Sequence, residues 1–253
     1  MSKKTVAIIC GGRSSEHEIS CLSAGGVLAG LDRSLYDPVL IGITKVGNWV
    51  LLPNDYPLAI VNGVLPIVDE TVTPLVADVH GFAVNGQALH IDVVFPALHG
   101  PFGEDGTIQG FFEIADIAYV GSGVMASAAA MDKSFSKTIF AAAGMVVADG
   151  IVVTSGDWRS KSSDISYPVF VKPARGGSSR GTHKVKSAAG LEAALTDAFT
   201  FDRKVMIESA VAGREIECAV LESNGSVQAS IVGEIIIDSR FEFYFYIFPL
   251  VFS

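Results

Sequence analysis

Three apolar segments constrain this chain most: Thr5-Val-Ala-Ile-Ile-Cys10, Val39-Leu-Ile-Gly-Ile-Thr44 and Ile91-Asp-Val-Val-Phe-Pro96. They are nearly continuous in apolar residues instead of alternating, so each strand must bury both of its faces. Gly11-Gly12-Arg-Ser-Ser turns the first strand into a helix predicted from Glu16 to Leu31. Strand, helix and strand of this kind make a parallel sheet covered on both faces. Trp49 to Leu89 reads as an irregular or hairpin-rich insert, with Asn62-Gly63 and Asn85-Gly86 as turns. Thr107 to Ala115 is predicted helical and Tyr119-Val120 a short strand. Gly121-Ser-Gly then introduces one alanine-rich helix running on to Ala143.

The composition changes near residue 130. Strands are predicted at Ile151–Val153, Val169–Val171, Lys204–Glu208, Ile216–Val220 and Ile231–Ile237, with a helix from Ala188 to Phe199. Asn224-Gly225 is a hairpin turn, so this is a second, α+β unit with antiparallel strands. A length of 253 residues is enough for two domains. A net charge of -9 without a basic stripe argues against nucleic-acid binding. Cys10, Cys21 and Cys218 form no CxxC pair, which fits a reduced, cytoplasmic protein and neither a disulfide framework nor a zinc site. The apolar run from Val6 to Cys10 is too short for a signal peptide. No run approaches the roughly eighteen apolar residues of a membrane helix.

The chemistry concentrates in a few segments. In Tyr167-Pro-Val-Phe-Val-Lys-Pro-Ala-Arg-Gly-Gly-Ser-Ser-Arg-Gly181 a short strand delivers Lys172, and a loop rich in glycine and serine follows. Glycines let backbone fold closely over a ligand, and a lysine supplies a point charge for phosphate. The lysine precedes the glycines, so this is not a Walker A loop. It reads either as a flap over a nucleotide held between sheets or as a surface turn after a buried strand. Glu16 opens the first helix, where the helix dipole favours an acid and where a carboxylate could also hold an ammonium group. Leu98-His-Gly-Pro-Phe-Gly-Glu-Asp-Gly-Thr-Ile-Gln-Gly110 follows a buried strand. There His99 ends the strand and Asp105 N-caps the next helix, or His99 and the helix start face an anionic group. Lys133 is a solvated helix lysine or, with Lys172, one of two cations for a triphosphate. Glu208 and Glu215 flank Ser209-Ala-Val-Ala-Gly-Arg214, either in an exposed turn or as acceptors for an adenine amino group and ribose hydroxyls.

Four segments occur in order: Gly-Gly-Arg-Ser-Ser-Glu-His-Glu, Ala-Leu-His-Gly-Pro-Phe-Gly-Glu-Asp-Gly, Gly-Ser-Gly-Val-Met-Ala-Ser with Met-Asp-Lys, and Val-Lys-Pro-Ala-Arg-Gly-Gly-Ser-Ser-Arg-Gly. Over residues 4 to 240 the chain strongly resembles the D-alanine–D-alanine ligases of the ATP-grasp superfamily. The resemblance implies an α/β fold: an N-terminal, Rossmann-like parallel-sheet domain followed by an incomplete α+β ATP-grasp domain. The implied boundaries are 1–127 for the substrate domain, 128–208 for the lid subdomain, 209–240 for the start of the last subdomain, and 241–253 for an aberrant tail. It also implies an ATP-dependent ligase that joins two D-alanines through an acyl phosphate for peptidoglycan synthesis. By family match Glu16 holds the first D-alanine's ammonium group, and His99 lies near the substrate carboxylate and phosphate. Lys133 and Lys172 bind the ATP phosphates. Gly176, Gly177, Ser178 and Ser179 form the flap, where Ser178 helps hold Glu16. Glu208 and Val211 line the adenine pocket, and Glu215 takes the ribose. The implied partners are D-alanine and ATP, with a second copy of the chain as a possible dimer partner and neither nucleic acid nor membrane.

The resemblance fails near residue 240. The family follows Glu-Phe-Tyr with Asp-Tyr-Glu-Ala-Lys-Tyr; here Glu242-Phe-Tyr244 leads into Phe245-Tyr-Ile-Phe-Pro-Leu250, so the loop's lysine and tyrosine fall on Pro249 and Leu250. Seven aromatic residues crowd the last thirteen positions, as in an aggregation-prone or frame-shifted segment. The family's remaining third supplies an arginine and the Asp, Glu and Asn ligands of two Mg²⁺ (or Mn²⁺) ions, so no metal ligand is assigned in this chain. The expectations are a chain unable to make dipeptide, with an uncovered sheet edge and face from Lys204 to Ile237. The alternatives are a non-catalytic nucleotide- or D-alanine-binding remnant, or a ligase using D-lactate or D-serine as acceptor.

Overall fold

A computed structural model describes residues 2–236. The described residues divide into two compact units, one of residues 2–144 with Arg175–Gly177, the other of Met145–Ala174 with residues 178–236.

In the first unit β1 (Lys4–Gly11) is followed by α1 (His17–Gly30), β2 (Tyr36–Ile43) and β3 (Trp49–Leu52). The insert then supplies β4 (Thr73–Pro74), β5 (Val76–Asp78), β6 (Gly81–Val84) and β7 (Gln87–Leu89) before β8 (Val93–Pro96). Strand order in the main sheet is β4-β3-β2-β1-β8. β2, β1 and β8 run parallel, while β3 and β4 extend the sheet antiparallel. β5, β6 and β7 form a separate antiparallel sheet, as hairpin signals in the insert predicted. Tyr119 adds a single parallel bridge to Val94 in place of a full strand.

Successive residues of β1 enter opposite cores, as a pleated strand requires. Val6, Ile8 and Cys10 pack with Cys21 and Ala24 of α1, whereas Ala7 and Ile9 pack on the other face. That second face is closed by Ile108 and Phe112 of α2 (Thr107–Ile114) and by Phe82 of β6. Both faces of the sheet are therefore covered, which explains the unbroken apolar strands.

The single helix expected up to Ala143 is two, α3 (Val124–Met131) and α4 (Lys133–Ala142). Asp132 breaks them because its backbone is extended (ψ 102°) and its carboxylate accepts from Ser134 N–H at 3.1 Å and Phe135 N–H at 3.3 Å. A local side-chain cap thus outcompetes alanine helix propensity at one position.

In the second unit come β9 (Gly150–Val153), a short α5 (Trp158–Lys161), β10 (Val169–Pro173) and β11 (His183–Val185). A 3-10 turn at Ala188–Gly190 leads into α6 (Leu191–Phe201), then β12 (Val205–Ser209). The sheet is antiparallel in order β11-β10-β12-β9. Leu191, Ala194, Leu195 and Ala198, spaced to one face of α6, cover Val169, Val171, Val185, Val205 and Ile207. Each such leucine, valine or isoleucine contributes about 1.5–3 kcal/mol on burial.

The predicted strand Ile216–Val220 is instead divided between β13 (Glu215–Glu217) and β14 (Val220–Ser223). β14 pairs with β15 (Ser226–Ala229) across the Asn224-Gly225 turn, and β13 with β16 (Gly233–Ile235). The uncovered face expected from Lys204 onward is found only after β12. β12 is interior, between β10 and β9, whereas Val220, Leu221 and Val227 on the later strands are exposed. The aromatic segment 241–253 and Ile237 lie outside the described residues.

Candidate active site

In the first unit the loops at the carboxyl ends of β1 and β8 meet, at the sheet edge where open α/β sheets gather ligands. Glu16 stands at the N-cap of α1 but makes no side-chain cap to its own helix. Its carboxylate is 8% exposed and is seated against two glycines. A Cβ at Gly100 would lie 2.4 Å from Glu16 Oε2, and one at Gly177 3.0 Å away. The glycines therefore leave room for this carboxylate and for no further side chain.

His99 is held from three sides. Ser14 Oγ donates to the His99 carbonyl at 2.7 Å and accepts from Glu16 N–H at 3.1 Å, tying the two loops together. The ring Nε2 lies 2.8 Å from Ser23 Oγ. Nδ1 faces Glu104 Oε1 at 3.7 Å, while the other oxygen of Glu104 accepts from Gly100 N–H at 2.8 Å. A carboxylate beside Nδ1 favours the proton there, leaving Nε2 to accept from the serine hydroxyl.

The turn into α1 is pinned by His17. Its Nδ1 donates to Gly12 O at 2.7 Å and its Nε2 accepts from Val68 N–H at 3.0 Å.

Lys133, the first residue of α4, donates to Gly176 O at 2.7 Å, and Asp132 makes an antiparallel bridge with Arg175. The first glycines of the flap are thereby fastened beside Lys133. His99, Glu104, Gln109, Lys133, Gly176 and Gly177 all line one cavity of about 690 Å³. Gln109 Nε2 donates to Gly103 O at 2.9 Å, and its buried Oε1 has no partner among the described residues. Asp105 is not the N-cap of α2, because Gly106 occupies that place with φ 88°. Asp105 instead bridges Phe102 N–H at 2.9 Å and Thr107 N–H at 3.0 Å.

In the second unit the sheet has one core face and one polar face. Phe170 sits opposite both Lys184 and Glu208, and Lys172 opposite Met206, so these five share the face away from α6. Lys172 Nζ forms an ion pair with Glu208 Oε1, a diagonal pair across β10 and β12. Glu208 is 8% exposed. Gly150 permits the close approach of β9: a Cβ there would lie 2.7 Å from Glu208 Cβ. Ser178 and Ser179 both hold positive φ, 52° and 53°, an uncommon state for residues with a side chain. Val211 is exposed, and Glu215 lies exposed on β13 opposite Ile235. Glu16, His99, Lys133, Gly176 and Gly177 thus belong to the first unit, and Lys172, Ser178, Ser179, Glu208, Val211 and Glu215 to the second.

Known proteins identify the family to which these motifs belong. Residues 5–122 match the family described as D-ala D-ala ligase N-terminus, and residues 139–248 match D-ala D-ala ligase C-terminus. The D-alanine--D-alanine ligase of Rhodococcus erythropolis is 47% identical over 250 residues, covering 92% of this chain and 68% of its own length. The chain belongs to the D-alanine–D-alanine ligase family.

Another member of the ligase family, from Mycobacterium leprae, is 49% identical over 250 residues. Among solved structures, the VanG D-Ala:D-Ser ligase from Enterococcus faecalis superposes with a TM-score of 0.83 at 33% identity, covering 98% of this chain and 74% of that one. The D-alanine-D-alanine ligase from Coxiella burnetii superposes with a TM-score of 0.80 at 34% identity, covering 92% and 71%. The ATP-grasp ligase fold expected from the four motifs is the fold observed. This chain spans about 68–70% of the length of the curated ligases it first matches. Among the described residues no group of three or more His, Cys, Asp or Glu is placed to hold a metal ion. No described helix is long and apolar enough to cross a membrane.

Sequence reasoning assigned no role to Ser14, Ser23, Glu104 or Gln109. Glu104 and Ser14 sit inside the motifs, so their position was marked but not their contacts. Ser23 carries one signal only: it lies seven residues after Glu16, two helical turns on along the same face of α1.

Proposed function

We propose that the site of this chain is that of an ATP-dependent ligase which joins two D-alanines for peptidoglycan precursor synthesis in the cytoplasm, and that the 253-residue chain itself binds ATP and D-alanine without completing the reaction. The observation that carries this reading is the Glu16 carboxylate seated between Gly100 and Gly177, with His99 and Lys133 on one cavity wall. A buried carboxylate against Gly177, with a fixed imidazole and a lysine lining the cavity that Gly177 also lines, suits a zwitterion whose carboxylate receives phosphate.

In this reading Glu16 holds the ammonium group of the first D-alanine, and His99 orients its carboxylate. A carboxylate oxygen takes the γ-phosphoryl group, releasing ADP and leaving an acyl phosphate. The amine of the second D-alanine attacks the acyl carbon, loses a proton, and the tetrahedral intermediate expels phosphate. Phosphoryl transfer of this kind is chiefly positioning and charge neutralisation. Lys133 and Lys172 supply cations, and Gly176, Gly177, Ser178 and Ser179 supply the flap that keeps water from the acyl phosphate. Glu208 and Val211 take the adenine and Glu215 the ribose. For Lys172 and Glu208 this requires their ion pair to open, each exchanging its partner for the nucleotide.

The first test is ATP- and D-alanine-dependent thermal stabilisation of the chain. ATP at a hundred times its Kd stabilises by about 2.7 kcal/mol. Lys172→Met is expected to lose the ATP shift and Glu16→Gln the D-alanine shift; no shift at millimolar ATP overturns the reading. For the 253-residue chain the expectation is binding without dipeptide formation, because Pro249 and Leu250 stand at the family's loop lysine and tyrosine. D-Alanine-dependent ADP release would contradict that half. A D-serine acceptor is the second reading, favoured by the likeness to the VanG D-Ala:D-Ser ligase. The homodimer reading draws on α1. Ala24 is buried and Gly25 meets Leu58 of its own chain, but Gly26 and Ala29 remain exposed for a second copy.

A further inference from the structure

A second cavity of about 260 Å³ lies in the first unit, most of its walls formed by residues that the reading above does not use. It opens between the β1–α1 turn, the β2–β3 turn and the segment after β8. Its walls are Ile43, Trp49, Leu98 and Phe111, with the rings of Trp49 and Phe111 5.9 Å apart. Gly12 and Gly47, at φ 95° and 100°, border it without side chains that would fill it. Arg13 spans the mouth. Its stem packs on Gly47, where a Cβ would meet Arg13 Cδ at 3.0 Å, and its guanidinium stands 5.0 Å from the centre of the Phe102 ring. Phe102 holds φ 70°, a strained state for an aromatic residue, and that state sets its ring beside the arginine.

The lining is mostly aromatic, aliphatic and glycine, with Ser14, His99 and Thr107 as polar side chains; its one permanent charge, Arg13, is positive, and no acidic side chain lines it. Small-molecule sites have this composition, a mostly apolar bowl with few polar groups that fix orientation. We propose that this cavity is a second ligand site, for a small aromatic carboxylate whose ring enters the apolar bowl and whose carboxylate meets Arg13 at the mouth. The site shares Leu98, His99 and Gly103 with the larger cavity, so its occupant also restrains the segment that carries His99. The inference does not depend on the ligase reading, since it concerns binding alone.

The test is an amide and indole NMR titration of the full chain with 3-phenylpropionate and with its uncharged analogue 3-phenyl-1-propanol. Saturating shifts are expected at Gly12, Gly47, Phe102 and the Trp49 indole, in about the millimolar range that ligands of this size reach. Arg13→Gln should weaken the carboxylate about three- to fivefold, as for a solvent-accessible ion pair, and leave the alcohol unchanged. Thr107→Phe, at an exposed rim position, should fill the bowl and abolish both. Shifts that do not saturate, that centre on other residues, or that persist unaltered in both variants overturn the proposal. If Thr107→Phe does not fold, the selectivity lost in Arg13→Gln decides it alone.

Discussion

Gly100 shows how much one missing side chain accomplishes. Its φ of 69° and the 2.4 Å gap to Glu16 Oε2 both exclude a Cβ. Gly100→Ala is expected to destabilise the first unit by about 1–3 kcal/mol and displace the Glu16 carboxylate. Urea unfolding reads the first effect and loss of D-alanine-dependent stabilisation the second; an unchanged D-alanine shift would show that Glu16 is not held by this glycine. Asp157 gives a pH signature in the other unit. The hydrogen bond from Lys161 and that from Thr154 N–H hold its carboxyl at about 2, below the ordinary aspartate range. A depressed carboxylate stabilises the fold fully above its unfolded value and loses that contribution as pH falls toward 2. Asp157→Asn should therefore flatten the fall in unfolding midpoint between about pH 4 and 2, measured by chemical denaturation at stepped pH. An identical slope in both proteins would rule this out.

At the scale of elements, α4 depends on its cap more than on packing. None of its ten residues is buried, and Phe135, Ile139 and Phe140 stay exposed. Asp132 supplies three acceptor contacts to Ser134 and Phe135 and also sets the extended residue that meets Arg175. Asp132→Ala is expected to cost about 1 kcal/mol of helix stability and to speed amide exchange over the first turn of α4. Exchange rates equal to the parent's would mean that the cap is dispensable. The strands and helices of the first unit were legible because apolar runs, Gly-Gly and the Asn-Gly turns mark them locally. The break at Asp132 and the division of the 216–220 segment were not, since alanine and β-branched composition continue across both and the decision rests on one carboxylate and on pairing with distant strands.

For the whole molecule the exposed apolar surface after β12 is the feature with consequences. Val220 and Val227 share one face of the β14–β15 hairpin, at 66% and 67% exposure. Contiguous surface of this kind promotes association. Val220→Lys with Val227→Lys should lower concentration-dependent light scattering while leaving ATP-dependent stabilisation intact; scattering unaffected by the change would place the association elsewhere. The sequence by itself determined the class of fold, because strand and helix periods and glycine turns are local properties, and it marked Glu16, His99, Lys133 and Lys172 through their motifs. Only the tertiary structure decided what those residues meet. The seating of Glu16 against Gly100 and Gly177, the Ser23 and Glu104 partners of His99, and the pairing of Lys172 with Glu208 join positions distant in the chain. Spacing along one chain carries no record of such distances, since they are set where separate strand ends and turns are packed together.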